Sequence, residues 1–173
     1  TGSTVKSPVP KRAGYTCTGW WTTATGGTKA CAAGAATPAI SANVTYYARW
    51  SAVGYTITYT LGGGAITGQK ASYTIETANF ALAKPTRGGY TFSGWTVTGA
   101  SGAGIATSGT TTTVKKGTYG NLVATARWKA NSYEVSFDAN SGAGGQSASV
   151  TATYDAAMPT ISTTPPVRAG YAF

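Results

Sequence analysis

The stretch PTRGGYTFSGW, residues 85–95, is a second version of PKRAGYTCTGW at residues 10–20, and it begins a third time as PVRAGYAF at residues 166–173. All three share the skeleton Pro-x-Arg-x-Gly-Tyr, and Tyr15, Tyr90 and Tyr171 lie 75 and 81 residues apart. Self-similarity at a near-fixed period is the signature of a tandem architecture in which each copy is one structural unit. Within the phrase, Pro85 has no N–H to give to a central ladder, so residues 85–89 read as a loop or edge segment leading into a strand that begins at Tyr90. Gly89 and Gly94 then permit a bend or bulge on either side of that strand.

Working outward from this phrase, Ala48-Arg49-Trp50 returns as Ala126-Arg127-Trp128, 78 residues on, each preceded at the same offset by Asn43 or Asn121. A third marker opens each unit. GYTITYTLGGG from Gly54 and SYEVSFDANSG from Ser132 both alternate apolar and polar residues before a glycine-rich turn. The alternation places Tyr55, Ile57, Tyr59 and Leu61 on one face, matched by Tyr133, Val135, Phe137 and Ala139. The chain therefore divides into the C-terminal part of a first repeat (1–50), a complete repeat (54–128) and the N-terminal part of a third (132–173), with linkers at 51–53 and 129–131. Within the complete repeat, short runs of Thr, Val, Tyr and Ile are bounded by Gly, Pro and Asn, which predicts a mostly β class with at most one helical turn, near Thr77–Asn79.

These ordered positions resemble a known family. YTITYTLGGG, then Tyr73-Thr74, Thr77, Phe80 and Leu82, then residues 85–95, and finally Gly120-Asn121 leading to Ala126-Arg127-Trp128 are similar to the Listeria/Bacteroides-type repeat, also called the internalin B repeat. The resemblance implies an α+β, β-grasp-like (ubiquitin-like) small module arranged in a tandem, bead-like array in secreted and surface-anchored bacterial proteins. The sequence departs from the family pattern in three places. Thr96 stands where an aromatic usually follows Gly-Trp, residues 99–116 are longer and richer in Thr and Gly, and Cys17 takes the place of Phe92 and Phe173.

Composition removes several function classes. The 173 residues contain no histidine, so serine–histidine, cysteine–histidine and histidine–zinc chemistry are all excluded. Four acids, Glu76, Glu134, Asp138 and Asp155, oppose thirteen Lys and Arg. The complete repeat carries only Glu76, which does not make the carboxylate pair a glycosidase needs. DANSGAGG from Asp138 has the alternating oxygens of a calcium loop but lacks its later bidentate acid, so an Asx and glycine turn is the expectation. No catalytic, metal or cofactor site is expected, and the chain reads as a non-enzyme. The basic residues are scattered, with Lys11-Arg12 and Lys115-Lys116 as the densest groups, so no nucleic-acid partner is expected despite a net charge of +9. No apolar run approaches the ~20 residues of a membrane helix, and no membrane insertion is expected.

The aromatic residues recur at matched positions of successive repeats, as core residues do. Tyr15, Trp20, Trp50, Tyr55, Ile57, Tyr59, Tyr90, Phe92, Trp95, Trp128, Tyr133, Val135 and Phe137 are assigned to the repeat core. Trp21 has no aromatic counterpart at Thr96 and is the candidate exposed aromatic contact. Arg12, Arg87 and Arg168 are expected to lay their stems over a neighbouring Tyr or Trp. Cys17 and Cys31 form a candidate disulfide. A tight turn at Thr25-Gly26 would set Cys17 opposite Gly34, whereas a looser loop over residues 23–25 would set the two cysteines opposite each other. Closing that loop would stabilise the fold by up to about 3 kcal/mol. The resulting expectation is a non-catalytic repeat segment at the cell surface or outside the cell, serving as a stalk, adhesin or structural fibre module. Its partners would be neighbouring repeats or identical subunits. Two other expectations stand beside it: head-to-tail filament assembly by completion of partial repeats, and binding of surface glycans or anionic wall polymers.

Overall fold

The computed structural model describes residues 2–146 and 148–172, and every regular element among them is a strand. In chain order these are β1 (Tyr15–Trp21), β2 (Lys29–Cys31), β3 (Tyr47–Ala52), β4 (Tyr55–Thr60), β5 (Ser72–Tyr73), β6 (Phe80–Ala81) and β7 (Tyr90–Thr98). They continue with β8 (Ser101–Gly102), β9 (Ile105–Ser108), β10 (Thr111–Val114), β11 (Thr118–Tyr119), β12 (Leu122–Ala130), β13 (Ser132–Val135) and β14 (Val150–Thr153).

The centre is a four-stranded sheet in the order β5-β4-β12-β7. Its middle pair, β4 and β12, is parallel, with Leu122 opposite Ile57 and Thr125 opposite Thr60. The two outer pairings are antiparallel. Parallel neighbours need a long crossover, and the whole stretch from β5 to β11 supplies it. The period-2 pattern of β4 and β12 faces Ile57, Leu122 and Ala124 inward, where they are buried. A second sheet, β6-β10-β9, covers that face. From it and its flanks, Val114 and Leu82 join Ile57, Tyr73, Trp95, Leu122 and Ala124 in one apolar cluster.

The expected bulge lies at Gly94, whose φ is 125°. The register of β7 against β12 steps there, so that Arg127 opposes Gly94 while Trp128 opposes Phe92. Residues three apart on a regular strand face opposite sides; the extra residue turns both Phe92 and Trp95 inward, and their rings meet edge-to-face at 5.3 Å. The same step occurs in the first copy at Gly19, φ 132°, where β1 pairs with β3.

Two expectations are corrected. The helical turn near Thr77–Asn79 is a hydrogen-bonded turn closed by the Thr77 N–H on the Thr74 carbonyl (3.0 Å), and no helix occurs among the described residues. Tyr133 and Phe137 are exposed, at 52% and 49%. In the central sheet β12 brings Leu122 and Ala124 to the face of β4, whereas β13 pairs with β14 alone among the described residues, leaving Tyr133 on it and Phe137 beyond its end uncovered. Phe173, the counterpart of Phe92, lies outside the described residues. The connecting residues are not slack chain: Ser51 and Ala52 end β3, and Lys129 and Ala130 end β12. The Val53 and Asn131 N–H groups donate to Gly14 and Gly89 carbonyls, each at 2.9 Å.

Candidate functional site

The thrice-repeated phrase folds three times into one local structure. In each copy the Tyr N–H donates to the Arg carbonyl three residues earlier, at 3.0 Å (Tyr15), 3.2 Å (Tyr90) and 3.1 Å (Tyr171). The third residue of the turn has φ of 75°, 76° and 78° at Gly14, Gly89 and Gly170, a type II geometry that glycine enters without penalty. The turn folds the arginine back over the tyrosine. Arg12 lies 3.9 Å from the Tyr15 ring centre, Arg87 3.7 Å from Tyr90 and Arg168 4.2 Å from Tyr171. Stem packing and cation–π attraction, as expected, explain why Arg and Tyr recur together.

Two of these corners meet a carboxylate, which the sequence reading missed. The Tyr15 hydroxyl donates to Glu76 Oε1 at 3.0 Å, and the Tyr90 hydroxyl donates to Asp155 Oδ2 at 2.8 Å. Glu76 sits in the turn after β5 and Asp155 in the turn after β14, each closed by a backbone bond from the third residue after its start, Thr77 to Thr74 and Ala156 to Thr153. A signal was present: Thr74-Ile75-Glu76 and Thr153-Tyr154-Asp155 recur at nearly the spacing of the Arg-x-Gly-Tyr phrase.

The phenols respond to these neighbours. For Tyr90 the hydrogen bond to Asp155, then burial, raises the pKa above its ordinary value of 10.0, against the opposing pull of Arg87. For Tyr15 burial and then the bond to Glu76 raise it, opposed by Arg12. A phenol whose folded pKa lies above its unfolded value stabilises the fold fully below about pH 10 and loses that contribution as pH climbs through the raised value. Asp155→Asn is expected to bring the Tyr90 titration back toward 10, as followed by the NMR shifts of its ring. An unchanged midpoint would mean that the carboxylate does not govern that phenol.

The other acids offer no catalytic pairing. Asp138 accepts the Asn140 N–H at 2.8 Å in an Asx turn, and Glu134 opposes Thr151 across the β13–β14 ladder. Among the described residues no group of three potential metal ligands comes together. Among the described residues no helix is long and apolar enough to cross a membrane.

Most of the assigned core aromatics occupy buried or half-buried sites. Trp95 is 6% exposed and donates its indole N–H to the Ala83 carbonyl at 3.1 Å. Trp128 does the same to Leu61 at 2.8 Å, and Trp20 to Pro8 at 3.0 Å. Trp50 is half-buried opposite Cys17, and Tyr55 and Tyr59 line the inner face of β4. Val135 is half-buried on β13. Trp21 is not the open ring expected: it is half-buried, with Arg49 at 5.0 Å and Lys29 at 5.4 Å from its ring centre. Together with the three corner arginines and Lys70 over Phe80, at least six of the thirteen Lys and Arg lie over aromatic rings. Much of the positive charge is thus engaged in packing rather than gathered into an anion-binding patch.

The candidate disulfide is also corrected. Cys17 and Cys31 are free thiols, because the β1–β2 register opposes Cys31 to Trp20, and the β1–β3 register opposes Cys17 to Trp50. The Trp20–Cys31 pair has the register of the tighter turn, but the ladder shifts at Trp21–Lys29 and closes with the Thr22 N–H on the Thr28 carbonyl at 3.0 Å, so the connection is a loop over residues 23–27 unlike either turn the sequence allowed. Titration without reductant is expected to find two thiols per chain, the half-buried Cys17 reacting before the buried Cys31; a chain with no titratable thiol would reverse the assignment.

Repeating corners on a tandem β scaffold define a class of modular repeat protein, and comparison with known proteins gives the family. The Listeria-Bacteroides repeat domain profile matches residues 1–49, 55–122 and 133–173, and the chain belongs to that family. Internalin H of Listeria monocytogenes is 39% identical over 92 residues, which is 53% of this chain and 16% of the relative. The chain therefore corresponds to only a small part of that relative's length. No solved structure matches it.

Proposed function

We propose that the chain is a non-catalytic tandem-repeat segment of a secreted or cell-surface bacterial protein, serving as a stalk or adhesin module that sets reach and display. The observation that carries this reading is the connection between matched segments. The residues joining them continue β3 and β12 and are hydrogen-bonded to the preceding corner, so a following repeat leaves on paired backbone instead of a loose tether. Family membership and the likeness to Internalin H support a surface location.

The β-grasp-like reading of the module draws support from the central strand order. The first strand lies between its hairpin partner and the last strand, and first and last run parallel. Where a β-grasp module would carry a helix, this chain has the Thr74–Thr77 turn and the β6-β10-β9 sheet.

Small-angle X-ray scattering of the whole chain tests the stalk reading. A single compact domain of this length would have a radius of gyration of about 16 Å. Modules in a row are expected to exceed that clearly, and a value at the compact limit would sink the reading.

A further inference from the structure

We propose that the arginine–tyrosine corner of each repeat is a docking surface whose partner is the acid-bearing turn of the repeat that follows. Consecutive repeats would then be held in register by a tyrosine–carboxylate bond and by a side chain seated on the corner glycine. The inference rests on the matched segments being consecutive modules, and not on their serving as a stalk.

Two joints show the same construction with different residues. At the first, Tyr15 binds Glu76, and at the second Tyr90 binds the shorter Asp155. Beside each acid, the preceding side chain covers the corner glycine. A Cβ on Gly14 would lie 2.6 Å from Ile75 Cδ1, and one on Gly89 would lie 2.5 Å from the Tyr154 ring, so both glycines leave room for a neighbour. Tyr154 also meets Tyr90 edge-to-face at 5.4 Å. The backbone fixes the same approach, since Val53 and Asn131 donate to the two corner glycines, and Tyr154 N–H donates to the Asn131 carbonyl at 2.9 Å. That Glu and Asp, Ile and Tyr arrive at equivalent places argues for a selected contact between segments, because chance contacts would not survive changes in both side chains.

The third corner serves as an internal control. Gly170 has open space where a Cβ would stand, and Tyr171 is 69% exposed, yet Arg168 still covers its ring. The corner forms by itself, and the docking is a separate event. Two of the chain's four acids are placed in these turns, beside arginine-bearing corners, in a chain that is otherwise strongly basic. The partner is therefore defined chemically as a tight turn carrying a bulky side chain followed by a carboxylate.

The test uses the full chain and amide hydrogen exchange read by NMR. Tyr90→Phe and Asp155→Ala each delete the same bond and are expected to speed exchange at the Asn131 and Tyr154 amides about five- to tenfold. The double variant should be no faster than either single one, because both remove one interaction. The Ile57 amide, bonded to Ala71 in the central sheet, and the Val53 amide of the other joint should not change. Tyr171→Phe should leave all four unaltered. Unchanged exchange at Asn131 and Tyr154 in the single variants would overturn the proposal, as would strictly additive effects or an equal response to Tyr171→Phe. A compact scattering profile would defeat the stalk reading while leaving these amide rates free to support or overturn the joint.

Discussion

Trp95→Ala is expected to destabilise the central segment by about 3–5 kcal/mol, a large fraction of what a domain of this size possesses. Trp95 is 6% exposed and packs edge-to-face against Tyr59 at 5.5 Å and Phe92 at 5.3 Å. Truncation removes those contacts, leaves a cavity between the two sheets and strands the Ala83 carbonyl that the indole N–H satisfied. Urea unfolding followed by far-ultraviolet dichroism measures the loss. Trp21→Ala is the matched comparison, since Trp21 is only half-buried beneath Arg49 and Lys29 and should cost much less. Equal losses for the two tryptophans would refute the assignment of Trp95 as the centre of the core.

The second large effect is expected at a backbone crossing. Gly99 follows β7 with φ 86°, and a Cβ there would run into the Asn121 carbonyl oxygen, while Gly120, φ 103°, is equally tight against the Gly99 carbonyl. The two glycines let the end of β7 and the start of β12 approach closely, just beyond the Thr98–Val123 pair. The Tyr73 hydroxyl closes the same place by donating to the Gly120 carbonyl at 2.5 Å. Gly99→Ala should therefore combine left-handed strain with displacement of main chain, about 2–4 kcal/mol in all. Gly109→Ala separates the two contributions: its φ is 55° but nothing lies within 4 Å, so strain alone remains, on the order of 1 kcal/mol. If thermal unfolding shows Gly99→Ala no worse than Gly109→Ala, the close approach is not required.

The sequence exposed the strands better than their neighbours. Alternation in residues 55–60 reports which side chains share a face, and the bulge at Gly94 falls on the glycine that immediately precedes the inward Trp95. Alternation is silent about which strand lies alongside and in which direction, so the parallel β4–β12 pairing was not legible. The same silence allowed two registers for β1 and β2, and only the pairing of Cys31 with Trp20 separates them. Tyr133 and Phe137 match Tyr55 and Tyr59 in pattern but not in burial, because burial depends on what covers a face. The arginine–tyrosine corners were readable from repetition, whereas the recurrence of Glu76 and Asp155 marks only matched turns and does not say which corner each acid meets.

The parallel central pair also decides how the complete repeat would carry tension along the chain. The preceding segment attaches at the start of β4, and the following one leaves from the end of β12. Because these strands are adjacent and parallel, pulling the two attachment points apart slides one strand along the other. The bonds that join Ile57–Thr60 to Leu122–Thr125 then share the load at once, whereas a hairpin pulled from its open end surrenders its rungs one at a time. Resistance to stretching is thereby located in four residues of each central strand, outside residues 99–116, the longest departure from the family pattern.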